Sequence, residues 1–422
     1  MRKGWLAVVI VAVMVGVAYL GAQAYSSHVF ERELSRTLDT LRADGQWQVA
    51  RDDVQRGWFH SSGRLLIAPA NEDTWRAVLP YTARHGLLNT RVSGTLQLYL
   101  SESSGTGERA LFGEWLPSAE PRWTATFHTL DRRVEARLDV DAFQLDRAAR
   151  QLAFNGAWLT LEGHAGDLRL SGLVSPLRLA GPQGEIVTGP LHIESRYQIS
   201  GDGRFYHQRN ELFLERLEYR GGQRPPLTLV GLRYRGETRL DEQLRLDVSL
   251  ALEEALVAGQ TLLSGSLDMS LDRIDGDALR RVIEQLQAAL EAHGGDLATL
   301  DPAQRRALIE RLEPALLAML ADSPRLTVEG MTLTSPMFGI DVRGHGELVF
   351  DGENADALSI EALRDPASQA WRRRLDGTFS LYGVPPLVAL QLGLPLSTDT
   401  LEVTIDAGEV RVNGRPLSVP FE

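Results

Sequence analysis

The side chains best suited to chemistry are thinly spread in this sequence. Its nine imidazoles are His28, His60, His85, His128, His164, His192, His207, His293 and His345, and no two stand within four positions of each other. No HxH or HExxH pair can therefore form on one strand or one helical turn, as a local zinc site requires. There is no cysteine, which excludes thiolate nucleophiles, disulfides, iron–sulfur clusters and cysteine–zinc sites. Lys3 is the only lysine, so a Walker-type phosphate contact, a Schiff base and a Ser-x-x-Lys pair are excluded from the rest of the chain. No Gly-x-Ser-x-Gly elbow is present. Gly105-Thr106-Gly107 and Gly344-His345-Gly346 lack the glycine spacing of a dinucleotide loop. Asp139-Val140-Asp141 and the acidic stretch 272–277 lack the spacing of a calcium loop. The 56 acidic residues leave a glycosidase-type carboxylate pair as the remaining catalytic route, but nothing in their order selects one. The expectation is a protein without catalytic residues, cofactor or metal.

The strongest positional signal lies at the start of the chain. Arg2 and Lys3 precede Trp5–Ala24, in which Gln23 is the only strongly polar side chain, and no charge follows until Glu31. As a helix this run reaches ~30 Å, the thickness of a bilayer's hydrocarbon core. Basic residues before the span place the N-terminus in the cytoplasm and the bulk of the chain across a bacterial inner membrane, in the periplasm. Ala22-Gln23-Ala24 also has the small-x-small form of a signal cleavage site. The run exceeds the ~7–15 residues of a signal h-region, so a retained single-pass anchor is expected. A net charge of −12 argues against nucleic acid as a partner.

The remaining sequence has to supply the positioning elements. Phe30, Leu34, Leu38 and Leu41 recur at helical spacing up to Gly45. From Trp47 to about Asp272 the period changes to two. Leu244, Leu246, Val248, Leu250 and Leu252 alternate with Arg245, Asp247, Ser249, Ala251 and Glu253, which places one apolar and one polar face on an antiparallel sheet. Two helical stripes then follow. Leu279, Ile283, Leu286 and Leu290 end at Gly294-Gly295. Leu308, Leu312, Leu316 and Leu320 follow an Asp301-Pro302 cap and carry Pro314, expected to kink or divide the helix. Both stripes are expected to pack on the sheet's apolar face. Strands resume at Arg325–Thr334 and Ile340–Phe350, a short helix is expected within Pro366–Arg374, and the tail reads as a hairpin with an Asn413-Gly414 turn.

Arg56-Gly57-Trp58-Phe59, with Ser62 after it, suggests a tight bend that buries both rings as a folding staple; a contact with lipid or a partner near the membrane is the functional counterpart. This motif, directly after an anchor and a short linker, resembles the N-terminal motif of the YdgA-type family of bacterial envelope proteins with a domain of unknown function. The stretch 271–279, Pro314–Leu320 followed by Ser323-Pro324-Arg325-Leu326, Thr334-Ser335-Pro336, and the tail Asp406–Leu417 resemble the family's later elements. The resemblance implies an inner-membrane protein facing the periplasm. By fold-level analogy it also implies distant kinship with AsmA- and TamB-like β-grooves that handle lipids.

The expected fold is mainly β. It is a long curled antiparallel sheet, a groove or open barrel, with an inserted helical hairpin and one N-terminal transmembrane helix. The expected segments are 1–25 (cytoplasmic tip and anchor), 26–45 (juxtamembrane helix), 46–275 (β region), 276–322 (helical hairpin) and 323–422 (C-terminal β region). The expected role is binding of lipid or another apolar ligand along the face of Leu244, Leu246, Val248, Leu250 and Leu252. The alternative is a non-catalytic structural or interaction module, dimeric, whose apolar faces are filled core.

Overall fold

The computed structural model describes residues 23–39, 41–42, 47–70, 74–101, 107–147, 150–201, 204–222, 225–292, 300–364 and 369–416. The run expected to span the membrane lies outside these residues except for its last two. No helix among the described residues is long and apolar enough to cross a membrane. Gly45 and Gly294-Gly295, the expected helix stops, also lie outside them. The chain forms two units, residues 1–145, 153–173 and 290–297, and residues 146–152, 174–289 and 298–422. Both are mainly antiparallel β.

In the first unit, helix α1 (23–39) precedes β1 (Trp47–Gln55), β2 (His60–Pro69), β3 (Trp75–His85), β4 (Asn89–Thr95), β5 (Gln97–Ser101), β6 (Glu108–Ala110), β7 (Arg122–His128) and β8 (Val134–Val140). β9 (Phe143–Arg147) and β10 (Arg150–Phe154) fall where the division crosses the chain, and β11 (Ala157–His164) and β12 (Asp167–Val174) follow. Antiparallel pairing joins β1–β2–β3–β4–β7–β8–β11. The apolar stripe read in α1 packs on this sheet. Val29 and Phe30 are buried with Tyr81, Ala83, Val92 and Phe127, and Leu34 and Trp123 pack against that cluster.

The second unit holds β13 (Leu177–Gly181), β14 (Gly184–Thr188), β15 (Leu191–Ile199), β16 (Tyr206–Arg220), β17 (Leu227–Leu240), β18 (Gln243–Val257) and β19 (Gln260–Asp275). Helices α2 (Gly276–Ala292) and α3 (Pro302–Ala318) interrupt the strands, which resume with β20 (Arg325–Ser335) and β21 (Ile340–Phe350). Then come α4 (Gln369–Arg372), β22 (Leu375–Tyr382), α5 (Pro386–Gln391), β23 (Thr400–Asp406), β24 (Glu409–Val412) and β25 (Arg415–Pro416). From β15 to β25 each strand pairs antiparallel with the next, and the sheet is not closed into a barrel.

The helical pair departs from expectation in its packing. Asp301 caps α3 by accepting from the Gln304 amide at 2.8 Å while the Gln304 side chain accepts from the Asp301 amide at 3.0 Å. Pro314 lies inside α3 without ending it. Part of each stripe meets the other helix. Val282, Leu312 and Ala315 form a buried cluster with Leu286, Leu308, Leu316 and Met319 and no strand residue, and Ile283 is 41% exposed. Two amphipathic helices joined in sequence can satisfy part of their apolar sides mutually. Arg280 ties α2 to the sheet's end by donating to the carbonyls of Arg204 and Asp241.

Candidate functional site

Directly paired residues of antiparallel strands share a face, so the register shows how far the apolar face of β18 extends. One row runs Ile193, Leu212, Tyr234, Leu250, Leu267, Met331, Gly344, Leu381 and Leu401, a residue from each of nine consecutive strands. The rows on either side, through Leu252 and Val248, likewise carry no charged side chain. Nine strands make eight steps of ~4.8 Å, about 38 Å. Leu250 is 40% exposed, and Leu244, Leu246, Val248 and Leu252 are half-buried. Leu212, Leu232 and Leu333 are also exposed. Apart from glycines, burial in these rows is complete only toward the ends. Leu240 and Ile274 are buried near the start of α2, and Leu401 and Val412 are buried with Val384, Ala389 and Leu394 beside α5. A facing sheet would have buried the middle as well.

The opposite face is charged and internally paired. Arg235 contacts Glu211 at 3.2 Å, Arg239 contacts Glu237 at 3.1 Å, Arg245 contacts Asp247 at 2.9 Å and Arg325 contacts Asp272 at 2.9 Å. The apolar face has one polar corner, on β15 and β16. There Gln208 donates to Asn210 at 3.1 Å, the Tyr206 hydroxyl donates to Gln208, and the Tyr197 and Tyr206 rings meet edge-on with centroids 5.2 Å apart. Burial pushes the Tyr206 phenol above its ordinary value of 10.0, with Tyr197 adding to the shift. This corner is polar yet uncharged.

The motif Arg56-Gly57-Trp58-Phe59 forms the turn between β1 and β2 of the first unit. Gly57 is required by close approach, since a Cβ there would lie 2.6 Å from the His60 carbonyl oxygen. The expected burial of both rings is not found. Trp58 is 65% exposed and Phe59 48% exposed. Both side chains meet solvent. The turn's backbone is nevertheless held, because the Ser27 hydroxyl donates to the Gly57 carbonyl at 3.1 Å. Arg56 reaches Glu31 of α1 at 3.4 Å. Ser62 is half-buried in β2 opposite Gln55 and Thr82.

Below the turn lies a polar cluster that no local sequence pattern reveals. Ser26, fully buried on α1, bonds Thr129 at 2.7 Å and Thr90 at 3.5 Å. His85 bonds Ser61 through Nε2 at 3.1 Å and Thr90 through Nδ1 at 3.0 Å, and Gln23 donates to the His85 carbonyl. Beside this cluster Arg51 donates two bonds to Glu31, at 2.8 and 3.0 Å, and two to the Tyr81 hydroxyl, that from Nε at 2.8 Å. The Ser61–His85 pair is not a hydrolytic arrangement. Both residues are buried, and the second imidazole nitrogen meets a hydroxyl in place of an orienting carboxylate. Among the described residues no group of three His, Asp or Glu side chains could hold a metal ion.

Comparison with known proteins gives no curated protein and no solved structure that matches. A family model does match, over residues 1–370. With most of its length covered, including the apolar N-terminal run, the exposed turn and the sheet through β21, the chain belongs to the family described as "Bacterial protein of unknown function (DUF945)".

Proposed function

We propose that this is a membrane-anchored protein of the bacterial cell envelope, facing the periplasm, whose second unit binds lipid acyl chains along its uncharged sheet face and which carries no catalytic centre. The observation that carries the reading is the nine-strand row through Leu250, in register, without charge and with Leu212 and Leu250 open to water. Extended apolar surface of this kind marks an interaction site. Its length of about 38 Å exceeds the ~15 Å depth of one leaflet's hydrocarbon, so a full acyl chain fits along it. The uncharged corner at Tyr206, Gln208 and Asn210 suits the polar end of an amphiphile. The resemblance to YdgA-type envelope proteins, and at greater remove to AsmA- and TamB-like grooves, agrees with this reading. The retained anchor is supported by Gln23, which is buried and bonded within the first unit, so cleavage after Ala24 would remove a packed residue.

The test is mass spectrometry of the full chain extracted from membranes in mild detergent. The intact mass should include Trp5–Ala24, and phospholipid should accompany the protein. Leu250→Asp should lose most of that lipid while melting within a few degrees of the parent, because a half-exposed position lets the carboxylate stay hydrated. Wild-type protein free of lipid and paired through this face would favour the dimeric interaction module instead.

A further inference from the structure

One end of the first unit's sheet carries a set of exposed apolar side chains. Tyr25 stands on α1, Trp58 and Phe59 on the β1–β2 turn, Leu87 and Leu88 on the β3–β4 turn, and Leu130, 75% exposed, on the β7–β8 turn. Three hairpin tips and the adjacent stretch of α1 thus each present large apolar groups to water. They are held at one end by hydrogen bonds. The His85 amide donates to the Phe59 carbonyl at 2.8 Å, the Thr129 amide donates to the Leu88 carbonyl at 2.8 Å, and Ser26 and Ser27 fasten α1 to the turns carrying Leu130 and Trp58. The backbones are fixed and bonded while the side chains remain bare. A folding role would bury these rings, so their function lies outside the unit.

We infer that this rim is a membrane-docking surface that seats the first unit on the bilayer interface. The inference rests on the anchor reading above, and the chain itself names the occupant. The uncharged run Trp5–Ala24 ends in Gln23 and Ala24 of α1 and Tyr25 follows directly, so the rim surrounds the point where the anchor joins the folded unit. A tryptophan, a tyrosine and a phenylalanine among aliphatic residues make the composition that settles at headgroup depth, where a ring's apolar body and polar edge are both satisfied. Arg56 and Arg132 stand in the same turns; each pairs with a glutamate of α1, Glu31 at 3.4 Å and Glu33 at 3.5 Å, and keeps more than half of its side chain exposed, within reach of lipid phosphates. The unit would thereby rest on the membrane at a defined height and would not swing freely from its anchor.

The absence of cysteine permits a direct test on the full chain reconstituted into phosphatidylethanolamine–phosphatidylglycerol vesicles. Single cysteines are introduced as Trp58→Cys and Leu130→Cys at the rim, Ala142→Cys at the far end of β8, and Ala12→Cys in the apolar run. Each is labelled with an environment-sensitive fluorophore. Lipids bearing a nitroxide near the headgroup should quench most of the emission at positions 58 and 130, with a blue shift, and leave position 142 unaffected. Deeply placed nitroxides should quench position 12. Quenching at 12 with positions 58 and 130 as bright as 142 overturns the rim and leaves the anchor standing. Quenching at 58 and 130 without 12 supports the rim and rejects the anchor, and no quenching at any position rejects both.

Discussion

Burial pushes the Glu31 carboxyl upward, but the guanidiniums of Arg51 and Arg56 outweigh it and hold the group below its ordinary value of 4.5. Its contribution to stability is therefore present above pH 4.5 and is lost as pH falls through the lower folded value. His85 adds a second acid-sensitive step. Burial, aided by the charge of His60 and opposed by Glu31, holds the imidazole below its ordinary 6.5. As pH drops under 6.5 the unfolded chain takes up a proton that the folded imidazole refuses, so stability declines from there down to the folded value. Melting temperature followed from pH 8 to pH 5 should fall with a slope that His85→Gln reduces; an unchanged slope would show that other groups dominate. The exposed rim makes the opposite prediction for aromatic truncation. Trp58→Ala should cost under ~1 kcal/mol, as surface substitutions do, whereas Phe30→Ala, inside the α1 cluster, should cost ~3–5 kcal/mol. Denaturant titration of the two variants checks both values. Sequence reading found Trp58 but misjudged its surroundings, because residue type and a bend glycine do not say whether a layer lies above a turn. The Ser26–Thr129 contact was invisible for another reason, since its partners stand 103 positions apart.

Among elements, those with local causes were legible. Alternation located β18 and β19, the Asp301-Pro302 cap located the start of α3, and Asn413-Gly414, with both residues at positive φ, closes the β24–β25 turn. What periodicity could not supply was the partner of each apolar stripe. A helix at 3.6 residues per turn shows which side wants cover, and two such helices in succession can cover each other as well as a sheet. The helical pair should accordingly depend on its own contacts. Leu312→Ala should destabilise by ~2–5 kcal/mol through the cavity it leaves, whereas Ile283→Ala, on the exposed side, should stay within ~1 kcal/mol. Equal losses at both positions would mean that α2 is covered on its other side as well. In the first unit, α1 shows the alternative outcome, a helix whose stripe of Val29, Phe30 and Leu34 packs on the sheet.

At the scale of the whole molecule, the two-faced sheet was legible in the alternation of β18, but alternation could not decide whether the apolar face was filled. That decision is geometric and appears in the half-wet Leu250 row. The same row has a calorimetric consequence. The heat capacity gained on unfolding measures apolar surface newly brought to water, ~12–15 cal/mol/K per residue for compact domains. A face already half hydrated in the native state has less surface left to expose. Lipid-free protein should therefore show an increment below that range in scanning calorimetry, and acyl-chain binding should lower the native heat capacity in turn. A full-sized increment without lipid would mean that the face is drier than its geometry indicates. The second unit is thus a fold whose apolar hydration is left partly unrelieved by its own chain, and on the proposed reading its native heat capacity should be lower with a lipid on that face than without one.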